Sequence, residues 1–193
     1  MAVNKTEFTL YTANCRGDHI NTSYPQAVRI TDIDSLRRAV SLDHVSAKYR
    51  AGYAKNDTEQ KNLIPAHRAI TDFDSADGIM LDVDNTPAQN TDADIPPENW
   101  IYPKHVKDAF PGVPFYVVYS RNHNKQKSKY SPRPRFHVYF AIDPITEAGE
   151  FTALKDKVCA YFPQFDTNAK DAARFFYGVD NPNIEFYESE DGQ

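Results

Sequence analysis

At 193 residues, 40% hydrophobic and 25% charged, the chain is long enough for one large domain or two small ones with a sizeable core. Its net charge of -5 excludes a protein that coats polyanions over its whole surface, so any nucleic-acid contact has to be local. The only two cysteines, Cys15 and Cys159, form no C-x-x-C pair, which excludes a cysteine zinc module or disulfide scaffold; with no long apolar run and no signal pattern, a cytoplasmic protein is expected.

Residues 7–14 and 27–32 alternate like strands. Asp34-Ser35 then caps a predicted helix, with Leu36, Ala39, Val40, Val45 and Tyr49 near helical spacing and Gly52 closing it. His44, Lys48 and Arg50 would lie along its C-terminal half, as a solvated face or, for Lys48 and Arg50, as nucleic-acid contacts. Residues 55–75 are polar and broken. At 78–84, Gly-Ile-Met-Leu-Asp-Val-Asp predicts a buried strand that delivers two carboxylates at its end. Side chains two apart on a strand share a face, so Asp82 and Asp84 can converge on one cation. Left uncompensated, each raises the other's pKa. The plain alternative is an Asp-rich turn closing a strand.

Residues 85–112 hold Pro87, Pro96, Pro97, Pro103 and Pro111 around Trp100 and Tyr102, and read as an ordered excursion with a short helix near 103–110. Residues 113–120 form a continuous apolar run, hence a buried strand. From Ala109 to Ile142 there is no acidic residue, while Arg121, Lys125, Lys127, Lys129, Arg133 and Arg135 fall in the loop between strands. Such a basic loop, with Tyr130 and prolines interleaved, suits a phosphate-bearing partner; a lysine-rich solvated hairpin is the alternative. The strand at 135–142 puts His137, Tyr139 and Ala141 on one face and Phe136, Val138 and Phe140 on the other. An amphipathic helix is predicted over 150–162, with Phe151, Leu154, Val158 and Tyr161 inward and Pro163 stopping it. Phe165-Asp166-Thr167-Asn168 supplies a third carboxylate, and Arg174 follows. Residues 184–187 read as a last strand before an acidic tail, and so abrupt an end reads as a domain cut from something longer. Alternating strands and helices with a mixed sheet predict an α/β or α+β fold.

Three carboxylates holding two divalent cations about 4 Å apart form a clamp for in-line phosphoryl or nucleotidyl transfer. Mg²⁺ or Mn²⁺ would be the ions, since both favour oxygen ligands and keep positions for substrate phosphates. The order Asp82-x-Asp84, then Ser131-x-Arg133-x-x-x-His137, then apolar-Asp166 resembles the archaeo-eukaryotic primase (AEP) superfamily. Segments such as Tyr119-Ser120-Arg121-Asn122-His123, Pro134-Arg135-Phe136-His137-Val138 and Ala173-Arg174-Phe175-Phe176 resemble primase-polymerase domains carried by bacterial mobile elements. The resemblance spans about residues 35–190. It implies a single catalytic domain, with an N-terminal portion (about 1–75) packed on an RRM-like catalytic module (about 76–190).

The resemblance further implies that Asp82, Asp84 and Asp166 bind two Mg²⁺ or Mn²⁺ ions. Ser131, Arg133, Arg135, His137 and Arg174 would surround an incoming nucleoside triphosphate. Lys48, Arg50, Arg121, Lys125, Lys127 and Lys129 would hold a single-stranded DNA template. The implied activity is a DNA primase or primase-polymerase, with a helicase-type ATPase as a C-terminal or separate partner. Pro132, Pro134 and Arg135 stand where that family commonly has glycines, and no zinc-binding cysteines are present.

Two rivals remain at the level of residues. Asp82-Val83-Asp84-Asn85-Thr86 also fits the D-x-D-x-T loop of haloacid-dehalogenase-like phosphatases, with Asp82 as nucleophile, Asp84 as general acid and Ser120 ending a second motif. A non-catalytic RRM-like nucleic-acid-binding domain would reuse the fold but leave its carboxylates facing a phosphate backbone.

Overall fold

The computed structural model describes residues 5–87, 94–127, 129–166 and 171–188. Thr167 and Asn168 of the third carboxylate's motif, Ser128 of the basic loop and the acidic tail from Ser189 lie outside the described residues.

The first layer is N-terminal. Strands β1 (Phe8–Thr12), β2 (Gln26–Ile30) and β3 (His44–Val45) form a three-stranded sheet in the order β2-β1-β3. Helix α1 (Ile33–Val40) follows β2 and starts at Asp32, whose carboxylate accepts from the Ser35 amide at 2.7 Å while the Ser35 hydroxyl closes the capping box. The helix ends at Ser41, so the expected helix through Tyr49 is too long. Beyond Val40 the buried hydrophobic residues are Val45, Ala47 and Tyr49, a period of two, and they lie on β3 and on β4 (Ala47–Tyr49). His44, Lys48 and Arg50 therefore share no helical face. Residues 55–75, expected to be broken, carry part of a small hairpin, β5 (Gly52–Tyr53) with β6 (Leu63–Ile64), and a 3-10 turn at Ile70–Asp72.

The second layer is a five-stranded sheet in the order β10-β8-β9-β7-β4. Its members are β7 (Phe73–Val83), β8 (Phe115–Tyr119), β9 (Phe136–Ile145) and β10 (Ile184–Tyr187), with β4 at one edge. Every ladder among the described residues is antiparallel, which corrects the expected mixed sheet and makes the fold α+β. Strands β7, β8, β9 and β10, with α2 (Pro103–Ala109) and α3 (Ala148–Tyr161), follow the β-α-β-β-α-β succession of a split-crossover module. Two features complicate that plan. Strand β10 pairs with β8, and the place beside β7 is filled by β4, so the N-terminal portion is built into the sheet as well as packed on it.

Both faces of this sheet are buried. Ile79, Leu81, Val83, Val117, Val138 and Phe140 pack under Val106 of α2 and Phe151 and Cys159 of α3. Met80, Val118 and Tyr139 face the N-terminal layer, meeting Phe8, Leu10, Leu36 and Val40. The chain reaches that second face after α3. Phe162 and Phe165 still belong to the helix side, the Asp166 amide donates to the Asp82 carbonyl at 2.8 Å, and Phe176 and Val179 belong to the opposite core. This return segment crosses the sheet at the end where β7 and β8 finish.

Helix α3 buries Phe151, Lys155 and Cys159, an i, i+4, i+8 line, whereas Tyr161, expected inward, is 66% exposed. The Lys155 ammonium is spent on the return segment, donating to the Asp171 carbonyl at 3.0 Å.

Candidate active site

Antiparallel register brings the chemistry together. Asp82 on β7 is the direct partner of His137 on β9, and the imidazole Nε2 lies 3.7 Å from Asp82 Oδ1. Beneath them the next pair on the same face is Met80 with Tyr139. The Tyr139 hydroxyl is 2.8 Å from His44 Nε2, and His44 Nδ1 lies 2.8 Å from the Leu42 carbonyl. A carbonyl can only accept, so Nδ1 carries the proton and Nε2 accepts from the tyrosine. Burial lowers the His44 pKa to about 4, which keeps this platform neutral.

Asp84 is followed by a sharp turn. Asn85 has φ 51°, in the left-handed region that asparagine tolerates better than most residues. Its side-chain amide donates to the Ile101 and Pro134 carbonyls at 2.9 and 2.8 Å, and its carbonyl oxygen Oδ1 accepts from the Ile101 amide at 2.7 Å. The proline-rich excursion is thus tied to the end of β7.

The basic loop between β8 and β9 is braced from inside. Arg135 is fully buried and donates from Nη1 to the Asn122 and Lys125 carbonyls at 2.9 and 2.8 Å. Its Nε stands 3.5 Å from Asp84 Oδ1, an ion-pair distance without hydrogen-bond geometry. The loop then folds its tip over the acids, and the Lys127 ammonium meets Asp84 Oδ2 at 2.6 Å. Lys127 and Tyr130 pair backbone to backbone across the tip.

Arg133 is placed elsewhere. It is fully buried, donates to both Asp94 oxygens at 2.6 Å and to the Asn85 carbonyl at 2.7 Å, and lies near the Trp100 and Tyr130 rings. Ser131 accompanies it, its hydroxyl 3.0 Å from Arg133 and 3.5 Å from Asp94. These two expected nucleotide ligands are occupied in clamping the excursion to the loop, and neither lines the cavity described next.

That cavity, about 310 Å³, is bounded by Asp82, Asp84 and His137 below and by Ser120, Arg121, Asn122 and Lys127 from the loop. The return segment closes it with Arg174, Phe175, Phe176 and Tyr177. Phe176 is held by a two-way backbone pairing with His44, at 3.0 and 2.9 Å, and stacks on the His137 ring at 4.0 Å. Of the expected residues, then, Asp82, Asp84, Arg121, Lys127, His137 and Arg174 meet here, with Arg135 behind Asp84 and the Asp166 backbone on Asp82. Lys125 and Lys129 lie on the exposed loop, Lys129 5.7 Å from the Tyr130 ring centre. Lys48 pairs with Asp74 at 2.9 Å and Arg50 donates to the Thr71 carbonyl at 3.2 Å. Both sit near the opposite end of β7, roughly 25 Å from Asp82 at the strand rise of about 3.3 Å per residue. Sequence reasoning missed Asn85 and the aromatic run Phe175-Phe176-Tyr177; the run was legible as three rings directly after Arg174.

The electrostatics are those of a crowded acid site. Burial first, then the neighbouring charges of Asp84 and Asp166, push the Asp82 carboxyl up to about 8, against the opposing pull of Arg174 and Lys127. Asp82 Oδ1 is sealed from solvent and has no hydrogen-bond partner. Burial also holds the His137 imidazole down at about 3, hence neutral, with Nδ1 sealed and unpartnered. An orphaned carboxylate oxygen among three acids is chemically suited to a hard divalent cation. Among the described residues, however, no three His, Cys, Asp or Glu side chains form a ready ligand cluster. The two oxygens of Asp84 stand 2.6 Å from the Lys127 ammonium and 3.5 Å from Arg135 Nε.

No family model matches the sequence, and no curated protein does. Among solved structures, the AEP domain of the cyanophage S-2L primase-polymerase is similar at a TM-score of 0.43 and 13% identity, over 95% of this chain and 84% of that one. A similarity that distant transfers no residue roles.

Proposed function

We propose that this chain is a template-directed nucleotidyltransferase, a DNA primase or primase-polymerase that makes or extends primers on single-stranded DNA. The observation that carries the reading is one cavity in which half-buried Asp82 and Asp84 face Arg121, Lys127 and Arg174. Carboxylates alone would repel a triphosphate, and cations alone would need no acids. The two together fit a substrate whose phosphates arrive with divalent metal.

In this reading Asp82, Asp84 and Asp166 hold Mg²⁺ or Mn²⁺. When bound, the ions would acidify the attacking hydroxyl and neutralise the departing pyrophosphate. The chain's own side chains do the rest. Lys127 leaves Asp84 for a phosphate oxygen, a point charge exchanging one anion for another. Arg121 and Arg174 bracket the phosphates from two walls. His137, neutral and fixed by its stack on Phe176, offers a ring nitrogen to a phosphate oxygen or to a ligand's hydroxyl. Asn85 and Arg135 keep Asp84 at the end of its strand. The phosphatase alternative loses its frame, since Asp82 lies on a strand with antiparallel neighbours on both sides rather than in a parallel Rossmann-like sheet.

The test is incorporation of labelled nucleotides on single-stranded DNA with Mn²⁺ or Mg²⁺, with and without a primer. Wild type, Asp82→Ala and Asp84→Ala are compared, with a generic phosphomonoester as control. Polymer made by wild type and reduced to background in both variants is the expected result. Phosphate release without polymer, lost in the same variants, would transfer the site to the phosphatase class.

A further inference from the structure

The rim of the cavity carries an aromatic pair that nucleotide chemistry alone leaves unused. Phe175 and Tyr177 lie two apart on the return segment, and their rings meet edge to face at 4.9 Å and 76°. The Arg121 guanidinium lies 3.9 Å from the centre of the Tyr177 ring. On the other side, Arg68 lies 4.6 Å from the centre of the Phe175 ring, with buried Tyr24 behind it at 5.8 Å. The result is a cation–ring–ring–cation ladder, Arg121, Tyr177, Phe175, Arg68, that starts inside the cavity and leaves it.

Each rung has its own anchor. Arg68 is fastened from beneath, donating to the Ala173 carbonyl at 2.9 Å and more weakly to the Asn21 carbonyl at 3.4 Å. Phe176, between the two rungs, points the other way into the core and fixes the backbone through its pairing with His44. The ring pair is therefore held on its outer side by a strand-like alternation, with little freedom to collapse. Arg121 remains exposed.

We infer that this ladder is the docking track for the unpaired strand, where two or three successive bases stack while a phosphate meets Arg68. The inference deepens the proposed function and rests on it for the identity of the strand as template. Planar rings and guanidinium groups are the surfaces on which exposed bases stack, without regard to sequence. Cation–ring pairs are suited to this because a base can extend the stack on a guanidinium as readily as on a ring. Arg121, Phe175 and Tyr177 line the cavity while Arg68 stands outside it, so the ladder extends beyond the space a single nucleotide would fill, which favours a polynucleotide. Continuity with the cavity would deliver the leading base beside Asp82 and Asp84.

The experiment is fluorescence anisotropy of a labelled oligothymidylate across a salt series, with no nucleotide and with EDTA, so that binding is read apart from catalysis. Tyr177→Leu, which keeps an apolar side chain and removes the ring, should weaken binding about tenfold and leave the salt slope unchanged. Tyr177→Phe should bind as wild type. Arg68→Gln should weaken binding and flatten the slope by about 0.7, the loss of one phosphate contact on a single strand. Thermal melts of all variants exclude unfolding as the cause. Tyr177→Leu binding like wild type at every salt, or Tyr177→Phe as weak as Tyr177→Leu, would overturn the track. Ladder-dependent binding by a protein that never incorporates nucleotide would sink the polymerase reading and leave the track standing. Incorporation with Tyr177→Leu unaffected would sink the track alone.

Discussion

Asp82 stands where its surroundings disfavour a charge, and that has a measurable consequence. Its carboxyl titrates near 8 in the folded chain, chiefly through burial and then through Asp84 and Asp166, against an ordinary value of 3.8. Between about pH 4 and pH 8 the native state therefore holds a proton that the unfolded state has released. The Asp82 contribution to stability must fall as pH rises through that window, by up to about 1.4 kcal/mol per pH unit. Asp82→Asn keeps the shape and removes the titration, so in EDTA its urea-unfolding free energy should lose the Asp82 slope, keep the opposite slope that buried His44 and His137 give both proteins below about pH 6.5, and exceed wild type at pH 8. Mn²⁺ should then restore stability to wild type at pH 8, by binding the native carboxylates, and do less for Asp82→Asn. Parallel pH profiles for the two proteins would show that Asp82 is not the buried acid described here.

At the scale of elements, the legible parts of the sequence were those with a single clean period. The apolar run of β8 and the alternation of β9 were read close to their observed bounds, and so was the end of the acid strand, although β7 starts five residues before Gly78, at Phe73. What failed was a change of period without punctuation. Val45, Ala47 and Tyr49 alternate as a strand, yet they continue the spacing of Leu36, Ala39 and Val40 closely enough to extend a helix on paper. Ser131 and Arg133 were illegible for a different reason: their partner Asp94 lies 39 residues before Arg133, and no local pattern reports such a pair. Lys155 shows the same blindness on α3, where a charged residue takes an inward position because Asp171 offers it a carbonyl. Burial pulls its pKa down to about 8 from 10.5, so the cost of the buried charge is full below pH 8 and relieved as pH rises toward 10.5. Lys155→Met should therefore melt higher than wild type at pH 7, with the advantage shrinking by pH 10. An advantage independent of pH would mean that methionine merely packs better there.

The whole molecule is closed where its N-terminal layer meets the return segment, because that meeting sets where Arg174 to Tyr177 stand. Asp43, fully buried, accepts from the amides of Gly17, Asp18 and Gly178 at 2.8, 2.9 and 2.7 Å, binding three stretches of chain to one carboxylate. The Val179 amide donates to the Val40 carbonyl at 2.9 Å at the end of α1. Gly178 is where the two backbones come closest: a Cβ built there would stand 2.6 Å from the Ser41 carbonyl oxygen and 2.7 Å from the Leu42 carbonyl carbon. Both are main-chain atoms and cannot swing away as a side-chain tip could. Gly178→Ala should thus cost about 1–3 kcal/mol. In a chain of this size each kcal/mol lowers the melting temperature by about 2–4 °C. The cavity wall should also shift, so oligothymidylate binding should weaken in conditions where the variant is still folded. Gly149→Ala is the matched control, exposed near the start of α3 with open space around its Cβ, and should melt at or slightly above wild type. A Gly178→Ala protein that melts and binds like wild type would show that the N-terminal layer and the return segment are packed more loosely than these distances imply, and that the wall of the site is held by the sheet alone.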